Sequence, residues 1–368
     1  MNYILIIGTF EALFLILLLL SKSNKSLPDL FLGIMLGLLA MSVFMTYIEI
    51  HNAQNNYPLP YLINTNWLIM FLHGPALWFY IKSLSTFRFR FIYLLHFVPF
   101  LVFFIIHYLQ YISLPEAQKI YIAQTEVFKN QVFYKIVVLS IGLSTITYNV
   151  WALILIHKRR KDLFLNFSKI EDIDLSWLRV LTIASLVIFG LNHVLFNLNL
   201  IFNYSSHKIL SMVSYSFASV YILFLGFYGI KQKNVFITVP NFHKPQNDKK
   251  SIKKNDKIFV EKLLQLMNTK KPFLDPELNI LKLSKELNVN TEYLSEILNG
   301  YLNKTFFDFI NKYRIEEFKK QCFKESNQNL SIVGIAYNCG FNSKASFYRA
   351  FKKFEKTTPS NYLKKVSY

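Results

Sequence analysis

The chain has 368 residues, of which 53% are hydrophobic and 17% are charged, and its mean hydropathy is +0.28. Its 41 Lys and Arg outnumber its 22 Asp and Glu and give a formal net charge of +19. This composition argues against a wholly water-soluble protein, and the basic excess predicts affinity for polyanions.

Long apolar segments fill the chain before Lys231. Each has about 18 residues or more, which is enough to cross a hydrocarbon core about 30 Å thick. The seven predicted spans are residues 3–20, 30–50, 67–84, 92–112, 132–156, 178–202 and 209–230. We therefore predict a seven-helix membrane domain over residues 1–230.

The charges of the loops predict the orientation of these spans. Lys and Arg are frequent in three alternate loops, residues 21–29, 82–90 and 157–176. They are sparse in the other three, residues 51–66, 113–131 and 203–208. Basic loops stay in the cytoplasm, so the N-terminus is expected outside and the C-terminus inside a bacterial cytoplasmic (inner) membrane that the chain crosses several times.

Several polar residues lie inside the predicted spans: Glu11, His73, His96, His107, Lys135, Asn149, Asn192, His193 and Asn197. Ionisable groups are costly in a bilayer, so each is expected to be paired inside the bundle or to line a cavity. Glu11, His73, His96 and His193 are our candidates for a ligand site, because none has an obvious partner on its own helix, with interhelical hydrogen bonds and catalysis as the alternatives. The sequence contains neither an HExxH motif nor a close pair of His on one helix, so we expect no metal, no cofactor and no enzymatic activity.

Residues 231–257 mix Lys, Pro and Asn without helical periodicity and are predicted to be a linker. The chain from Lys231 onward carries a net charge of +13. Adhesion to anionic lipid and extra affinity for DNA both explain the basic residues of the linker.

A helix-turn-helix pattern occurs twice in the rest of the chain. The first copy, residues 280–299, has apolar positions at Ile280, Leu283, Leu287, Val289, Leu294 and Leu298. The second copy, residues 331–354, repeats this apolar face with Ile332, Ile335, Ala336, Phe341, Phe347 and Phe351, and has a turn at Cys339-Gly340. A helical stripe over residues 306–321 is predicted to connect the copies.

The second copy reads I-x-x-I-A-x-x-x-G-F-x-S-x-x-x-F-x-R-x-F-K-K, followed by T-P-S-x-Y. This pattern resembles the DNA-binding domain of the AraC/XylS family of transcription regulators, and the resemblance covers residues 258–365. It implies an all-α domain with two recognition helices in successive major grooves of double-stranded DNA, about 34 Å apart. Asn288 and Lys356 stand where the family usually has Gly.

Residues that follow each turn and point away from the apolar face are the candidates for DNA contact. They are Asn290, Glu292, Ser295 and Glu296 in the first copy, and Ser343, Lys344, Ala345, Arg349, Lys352 and Lys353 in the second. Cys322 and Cys339 also fall in this domain. A disulfide is not expected in a reducing cytoplasm, and the two thiols are either small buried hydrophobes or redox sensors.

The chain is therefore interpreted as an all-α, membrane-anchored, sequence-specific transcription regulator, with a seven-helix bundle followed by a cytoplasmic double helix-turn-helix domain. By analogy, the bundle receives a small-molecule or envelope signal. RNA polymerase and a second copy of the chain are further expected partners. The alternative is an integral membrane receptor or transporter whose basic tail docks on anionic lipid or an acidic protein. The repeated turn favours DNA, because docking on lipid needs charge without that geometry.

Overall fold

The computed structural model describes residues 2–84, 87–168, 175–202, 204–231, 254–327 and 329–366. Most of the predicted linker, residues 232–253, lies outside the described residues. The chain divides into two compact units: Met1–His157 with Leu175–Ile237, and Lys158–Asp174 with Thr238–Tyr368. Over the described ranges the secondary structure is helical, apart from one isolated bridge between Phe167 and Asn279.

Most of the first unit is formed by helices. They are α1 (Asn2–Leu20), α2 (Leu27–Gln54), α3 (Asn66–Ser83), α4 (Val98–His107), α5 (Glu116–Thr125), α6 (Val132–Asn166), α7 (Ser176–Phe202) and α8 (His207–Lys231). The residues of α6 from Lys158 onward belong to the second unit. A 3₁₀ turn, Phe91–Phe97, precedes α4 and a π turn, Tyr108–Ile112, follows it. Helix α5 lies in a loop between two predicted spans and was not expected from the sequence.

A capping box fixes the sharp turn between α1 and α2. Ser26 Oγ accepts a hydrogen bond from Asp29 N at 3.4 Å, and Asp29 Oδ2 accepts one from Ser26 N at 3.0 Å. Lys22 Nζ lies 2.6 Å from the other carboxylate oxygen of Asp29. These contacts satisfy backbone N–H groups that a helix start leaves free, so the start of α2 is well defined.

Six helices of the described chain are long and apolar enough to cross a membrane: Tyr3–Leu20, Leu27–Gln54, Phe91–Ile112, Val132–Asn166, Ser176–Phe202 and Ile209–Lys231. The seventh predicted span, residues 67–84, corresponds to α3, which is not among them. The 18 residues of α3 include His73, Pro75 and Lys82, and these lower its apolar character. The structure thus provides one candidate span fewer than the seven expected.

The core of the first unit explains why α3 differs from the other long helices. Tyr80 and Ile81 of α3 are almost fully buried together with Leu36 of α2, Ile156 of α6 and Ile222 of α8. The apolar surface of α3 is therefore largely covered by neighbouring helices. A helix that is enclosed by protein does not need the apolar outer surface that a lipid-facing helix requires.

The described part of the second unit contains seven helices after the linker. They are α9 (Lys254–Thr269), α10 (Ile280–Leu287), α11 (Thr291–Glu296), α12 (Phe306–Gln321), α13 (Ile332–Asn338), α14 (Lys344–Glu355) and α15 (Pro359–Val366). A π turn, Ile297–Tyr301, extends α11. Helix α9 begins inside the segment that we predicted as linker, and its Phe259, Val260, Leu263 and Met267 are buried in the core.

Two hydrophobic cores lie side by side in this unit, and α12 contributes to both. Phe306 and Ile310, near its start, pack in the core around α9, α10 and α11. Ile315 and Phe318, further along, pack in the core around α13 and α14. The connecting helix therefore holds the two helix-turn-helix copies together through buried apolar contacts.

The two copies begin their helices with the same cap chemistry. Four side-chain oxygens each accept a hydrogen bond from the backbone N–H three residues further on, at distances of 2.7 to 3.1 Å; they belong to Asn279, Asn290, Ser331 and Ser343. Asn and Ser are among the best residues for this position. The repeat in the sequence thus appears in the structure as a repeated pair of capped helices.

The turns of both copies use left-handed backbone. Asn288 ends α10 at φ 56°, Lys356 ends α14 at φ 58°, and Gly340 in the second turn has φ 92°. A Cβ atom at Gly340 would lie 2.4 Å from Phe273 O and 2.9 Å from Arg314 Nε. Glycine is therefore required at 340 both by conformation and by space, whereas Asn288 and Lys356 tolerate the left-handed region at a cost.

Candidate nucleic-acid interface

Helix α14 has a buried face and an exposed face. Phe347 and Phe351 on the buried face pack against Phe318 of α12, with ring centroids 4.6 and 5.7 Å apart. The exposed side chains are those of Lys344, Ala345, Arg349, Lys352 and Lys353. Ala345, Arg349 and Lys352 recur at i, i+4 and i+7, so they form one stripe along the helix. An exposed basic stripe on the second helix of such a motif is the feature that enters a major groove.

The basic side chains of α14 differ in whether they already have an interaction partner within the protein. Lys353 Nζ lies 2.5 Å from Asp308 Oδ1 of α12, and Lys344 Nζ lies 5.6 Å from the centre of the Tyr348 ring. Within the described ranges, neither Arg349 nor Lys352 has an ion-pair or hydrogen-bond partner for its side chain. These two side chains are consequently the most available for an incoming polyanion.

The corresponding surface of the first copy is acidic. Glu292 and Glu296 are exposed on α11, one turn apart. Ser295 is partly buried, and its Oγ accepts a hydrogen bond from Asn299 Nδ2 at 3.1 Å. Asn290, although exposed, uses its side-chain oxygen for the cap of α11. The first copy therefore presents carboxylates where the second presents cations.

Ser343 combines a structural task with a position next to the exposed stripe. Its Oγ accepts a hydrogen bond from Ser346 N at 3.1 Å, which caps α14. A hydroxyl group keeps its own hydrogen for donation. The same side chain can therefore cap the helix and donate to a phosphate oxygen.

A buried arginine, which was not expected from the sequence to have a role, holds this unit together. Arg314 of α12 is 1% exposed, and its Nε donates to Phe273 O at 2.8 Å. Its Nη2 donates to Asp275 O at 2.9 Å and to Ser168 Oγ at 3.2 Å, and its Nη1 donates to Asn311 Oδ1 at 3.4 Å. A guanidinium group in a core is tolerated only when its N–H groups are bonded in this way.

The segment around Ser168 forms part of the second unit, although it comes from a loop between two predicted spans. Ser168 Oγ donates to Leu278 O at 2.5 Å, and Asn311 Nδ2 donates to Ser168 O at 3.4 Å. The ring of Phe164 meets Phe307 of α12 edge-on, with centroids 5.0 Å apart. Residues from this segment thus complete the core of the domain that carries the basic stripe.

Both cysteines are free thiols next to α14: Cys339 is buried in the core, and Cys322 is partly buried and packs against it. Burial raises the pKa of Cys339 to about 12 and that of Cys322 to about 11. The thiolate is the reactive form, and a raised pKa keeps both groups in the thiol form at neutral pH. The arrangement favours the first of the two interpretations of these cysteines, that of small buried side chains.

The four candidate ligand residues of the first unit do not lie in one place. His73 and His193 both line one partly open cavity; His73 Nε2 lies 3.1 Å from Ser42 Oγ, and His193 Nε2 lies 3.2 Å from Thr145 Oγ1. His96 is outside the cavity lining, and its Nδ1 lies 2.6 Å from the hydroxyl of Tyr148. Glu11 is partly exposed on α1 and is also absent from the lining.

Comparison with known proteins identifies the domain. A family described as a helix-turn-helix domain matches residues 283–365. The chain is 28% identical over 88 residues to YtdP, an uncharacterized HTH-type transcriptional regulator of Bacillus subtilis, over 24% of this chain and 11% of that protein. It is 28% identical over 89 residues to the Msm operon regulatory protein of Streptococcus mutans, over 24% of this chain and 31% of that protein.

A further relative is PqrA of Proteus vulgaris, a probable transcription factor that is 33% identical over 70 residues, covering 19% of this chain and 55% of that protein. Each of these matches spans less than two thirds of the relative's own length, and no solved structure matches the chain. The match to the helix-turn-helix family leads to the same conclusion as the two capped helix pairs and the exposed basic stripe. The chain carries an AraC-type helix-turn-helix domain, the type found in transcription regulators.

Proposed function

We propose that the protein is a membrane-bound transcription regulator that binds specific sites on double-stranded DNA and couples this binding to a signal received by its first unit. The observation that carries the proposal is the exposed stripe of Ala345, Arg349 and Lys352 on the second recognition helix. The type of domain supports it as well, since the relatives with this domain are named as regulators and not as enzymes.

Each residue of the stripe has a chemical role in this proposal. Arg349 is the one side chain of the stripe whose planar guanidinium can pair with both O6 and N7 of a guanine. Ala345 is small enough to contact a thymine methyl group. Lys344 and Lys352 neutralise phosphates, which supplies affinity without sequence information. Lys353 contributes less, because Asp308 already neutralises it.

The first copy contributes specificity more than affinity. Glu292 and Glu296 repel phosphates, but a carboxylate accepts a hydrogen bond from the N4 amino group of cytosine. Asn290 and Ser295 are the polar neighbours that can add contacts to the backbone of the DNA. We therefore assign most of the binding energy to the second copy.

For the first unit we propose seven spans, with α3 as the enclosed one. Its 18 residues make a helix about 27 Å long, close to the thickness of a hydrocarbon core. With α3 included as a span, loops rich in Lys and Arg alternate with loops that have few of them. This alternation predicts that the N-terminus is outside and that the helix-turn-helix domain is in the cytoplasm. RNA polymerase and a second copy of the chain are the further partners that this role implies.

The test uses the full chain in nanodiscs of zwitterionic lipid, which removes anionic lipid as a competitor. A pool of random DNA duplexes is selected on these nanodiscs and sequenced. We expect a defined motif to be enriched, Arg349→Ala to lose preference at one G·C pair, and the exposed Lys324→Ala, outside the recognition helices, to keep the motif.

Two results would contradict the proposal. One is binding without any enriched motif, which would indicate a purely electrostatic tail. The other is no DNA binding together with retention on anionic lipid or on an acidic protein, which would favour the receptor or transporter interpretation.

A further inference from the structure

Helix α1 carries a carboxyl group halfway along its length and outside its buried face. Glu11 lies eight residues from Tyr3 and nine from Leu20, the ends of this candidate span. At the rise of a helix, it is about 12 Å or more from either end. Among the described residues, the Glu11 carboxyl has no hydrogen-bond or ion-pair partner.

The buried face of α1 is held by its neighbours, so Glu11 cannot turn into the unit. Leu5, Ala12 and Leu19 on this face are at most 2% exposed. Gly8 lies on the same face, and a Cβ atom there would collide with the side chain of Ser219 of α8. A rotation of α1 that buried Glu11 would bring larger residues into this close contact.

The exposed half of α1 consists of two parallel stripes. The stripe that contains the carboxyl, called the Glu11 stripe, is formed by Ile4, Ile7, Glu11, Phe14 and Leu18, whose apolar members are 40% to 55% exposed. The second stripe, called the apolar stripe, lies opposite the buried face and is formed by Tyr3, Phe10 and Leu17, which are 61% to 78% exposed. Only the first stripe has a polar group.

Lipid can cover the apolar stripe but cannot satisfy Glu11. In the proposed spans, the exposed half of α1 faces hydrocarbon, which offers no hydrogen bond to a carboxyl group. Ionisable residues within spans almost always face protein or a water-filled cavity. The position of Glu11 therefore indicates a further protein partner on this side of α1.

A second copy of the chain has the geometry that this stripe requires. Two copies inserted in the same direction carry Glu11 at the same depth, and a two-fold axis along the membrane normal places the same stripe on both sides of the contact. The members of the Glu11 stripe are spaced by three and four residues in turn, which is the spacing of a parallel two-helix contact.

The carboxyl group is also complementary to itself. A protonated carboxyl donates one hydrogen bond and still has an oxygen that accepts. Two carboxyl groups that meet at one site do not both ionise, because like charges repel. Two Glu11 side chains can therefore hydrogen-bond to each other, and a single polar position of this kind fixes the register of a two-helix contact.

We propose that the Glu11 stripe is the contact surface between two copies of the chain, and that their Glu11 carboxyls hydrogen-bond to each other. This assigns a surface to the second copy that the proposed function includes. It rests on the proposed spans and not on DNA binding.

Disulfide crosslinking of the full chain in isolated cell membranes tests the contact. Ile4→Cys places a thiol on the Glu11 stripe, and Tyr3→Cys places one at the same end of α1 on the apolar stripe. Tyr3 is 78% exposed and Ile4 is 41% exposed, so chance encounters would favour the control. With copper phenanthroline as the oxidant, we expect at least fivefold more dimer from Ile4→Cys. Wild type, whose two thiols lie in the second unit, gives the background.

A second pair of variants, made in the Ile4→Cys chain, tests the carboxyl group. Glu11→Leu removes the hydrogen bond between the copies and should lower the crosslinked fraction at least fivefold. Glu11→Gln keeps both a donor and an acceptor, so it should retain at least half of the crosslinked fraction. Leucine is favourable within a span, so Glu11→Leu should not lower the amount of protein in the membrane, which the same gel measures.

Three results would overturn the proposal. Equal crosslinking at Ile4 and Tyr3 would mean random encounters in lipid. No crosslinking at either position would mean that Glu11 meets a different partner, such as a basic residue of another protein. Undiminished crosslinking in Glu11→Leu would mean that the carboxyl has no part in the contact.

None of these results bears on DNA recognition, which the selection experiment measures separately. Recovery of the wild-type chain outside the membrane fraction would contradict the proposed spans themselves, and this contact with them.

Discussion

Nη2 of Arg314 donates a hydrogen bond to Oγ of Ser168 across 146 positions of sequence, at a distance of 3.2 Å. Ser168 Oγ in turn donates to Leu278 O at 2.5 Å. A segment between two apolar helices is thereby bonded to the connecting helix of the helix-turn-helix domain. The C-terminal 110 or so residues alone therefore lack part of their own buried hydrogen-bond network.

The first prediction follows from that network. Arg314→Met removes the donor to four acceptors and should lower the free energy of unfolding of the second unit by about 3 kcal/mol, whereas Ser168→Ala should cost about 1 kcal/mol. Hydrogen exchange of α12 in the full chain, followed by mass spectrometry, measures both. Ser326→Ala, at an exposed serine, is the control. Equal protection of α12 in all variants would contradict the assigned role.

The second prediction concerns the end of α14. Lys356 has φ 58°, a conformation that costs a non-glycine residue about 1 kcal/mol or more. Lys356→Gly should therefore stabilise the second unit by about 0.5 to 1 kcal/mol, because glycine relieves this strain but is more flexible when unfolded. The measurement is the urea midpoint of α14 protection. Lys356→Ala, which keeps the strain, should show no gain; a gain as large as that of Lys356→Gly would point to removal of the charge instead.

The helix-turn-helix region was the part that sequence could predict. The patterns there involve only residues that are close together in the sequence. Phe347 and Phe351 lie one turn apart on one helix, and Gly340 marks the turn between the two helices. The departures at Asn288 and Lys356 were also visible, because the family usually has glycine where the structure uses left-handed backbone.

What sequence could not predict depends on contacts between distant residues. Ser168 looks like an ordinary loop residue, and only the folded chain brings it to Arg314. In the same way, four ionisable residues were equivalent candidates in the sequence, but only His73 and His193 line the cavity.

A third prediction concerns acid stability. Burial alone would raise the pKa of Glu317, but hydrogen bonds from Gln321 and Lys271 outweigh it and hold this pKa below the usual 4.5. A carboxyl group whose pKa is lower in the folded state stabilises the fold above about pH 4.5 and loses this effect as the pH falls through the folded pKa.

Glu317→Gln should therefore reduce the protection of α12 at pH 6 and show a smaller further loss than wild type on acidification below pH 4.5. Exchange rates corrected for their intrinsic pH dependence give the comparison. Glu325→Gln, at an exposed glutamate in the turn after α12, serves as the control. Parallel pH curves for wild type and Glu317→Gln would show that the ion pair with Lys271 does not contribute.

The fourth prediction tests the seven spans. A reporter that is active only in the cytoplasm should work when fused after Arg90, Lys161 or Lys231 and fail after Asn55 or Gln118. The pair Asn55 and Arg90 is decisive, because α3 lies between them. If both fusions behave alike, α3 does not cross the membrane and the chain has six spans.

The most direct test of the account is chromatin immunoprecipitation of the intact protein in its own cell, with sequencing of the bound DNA. We expect a limited set of sites that share a motif. Arg349→Ala should lower occupancy at these sites by about fivefold or more, which corresponds to the loss of about 1 to 3 kcal/mol for a bidentate contact with guanine, while Lys324→Ala should keep it. A membrane-inserted wild-type protein that enriches no genomic sites, or an Arg349→Ala profile identical to wild type, would contradict the central claim that α14 recognises DNA.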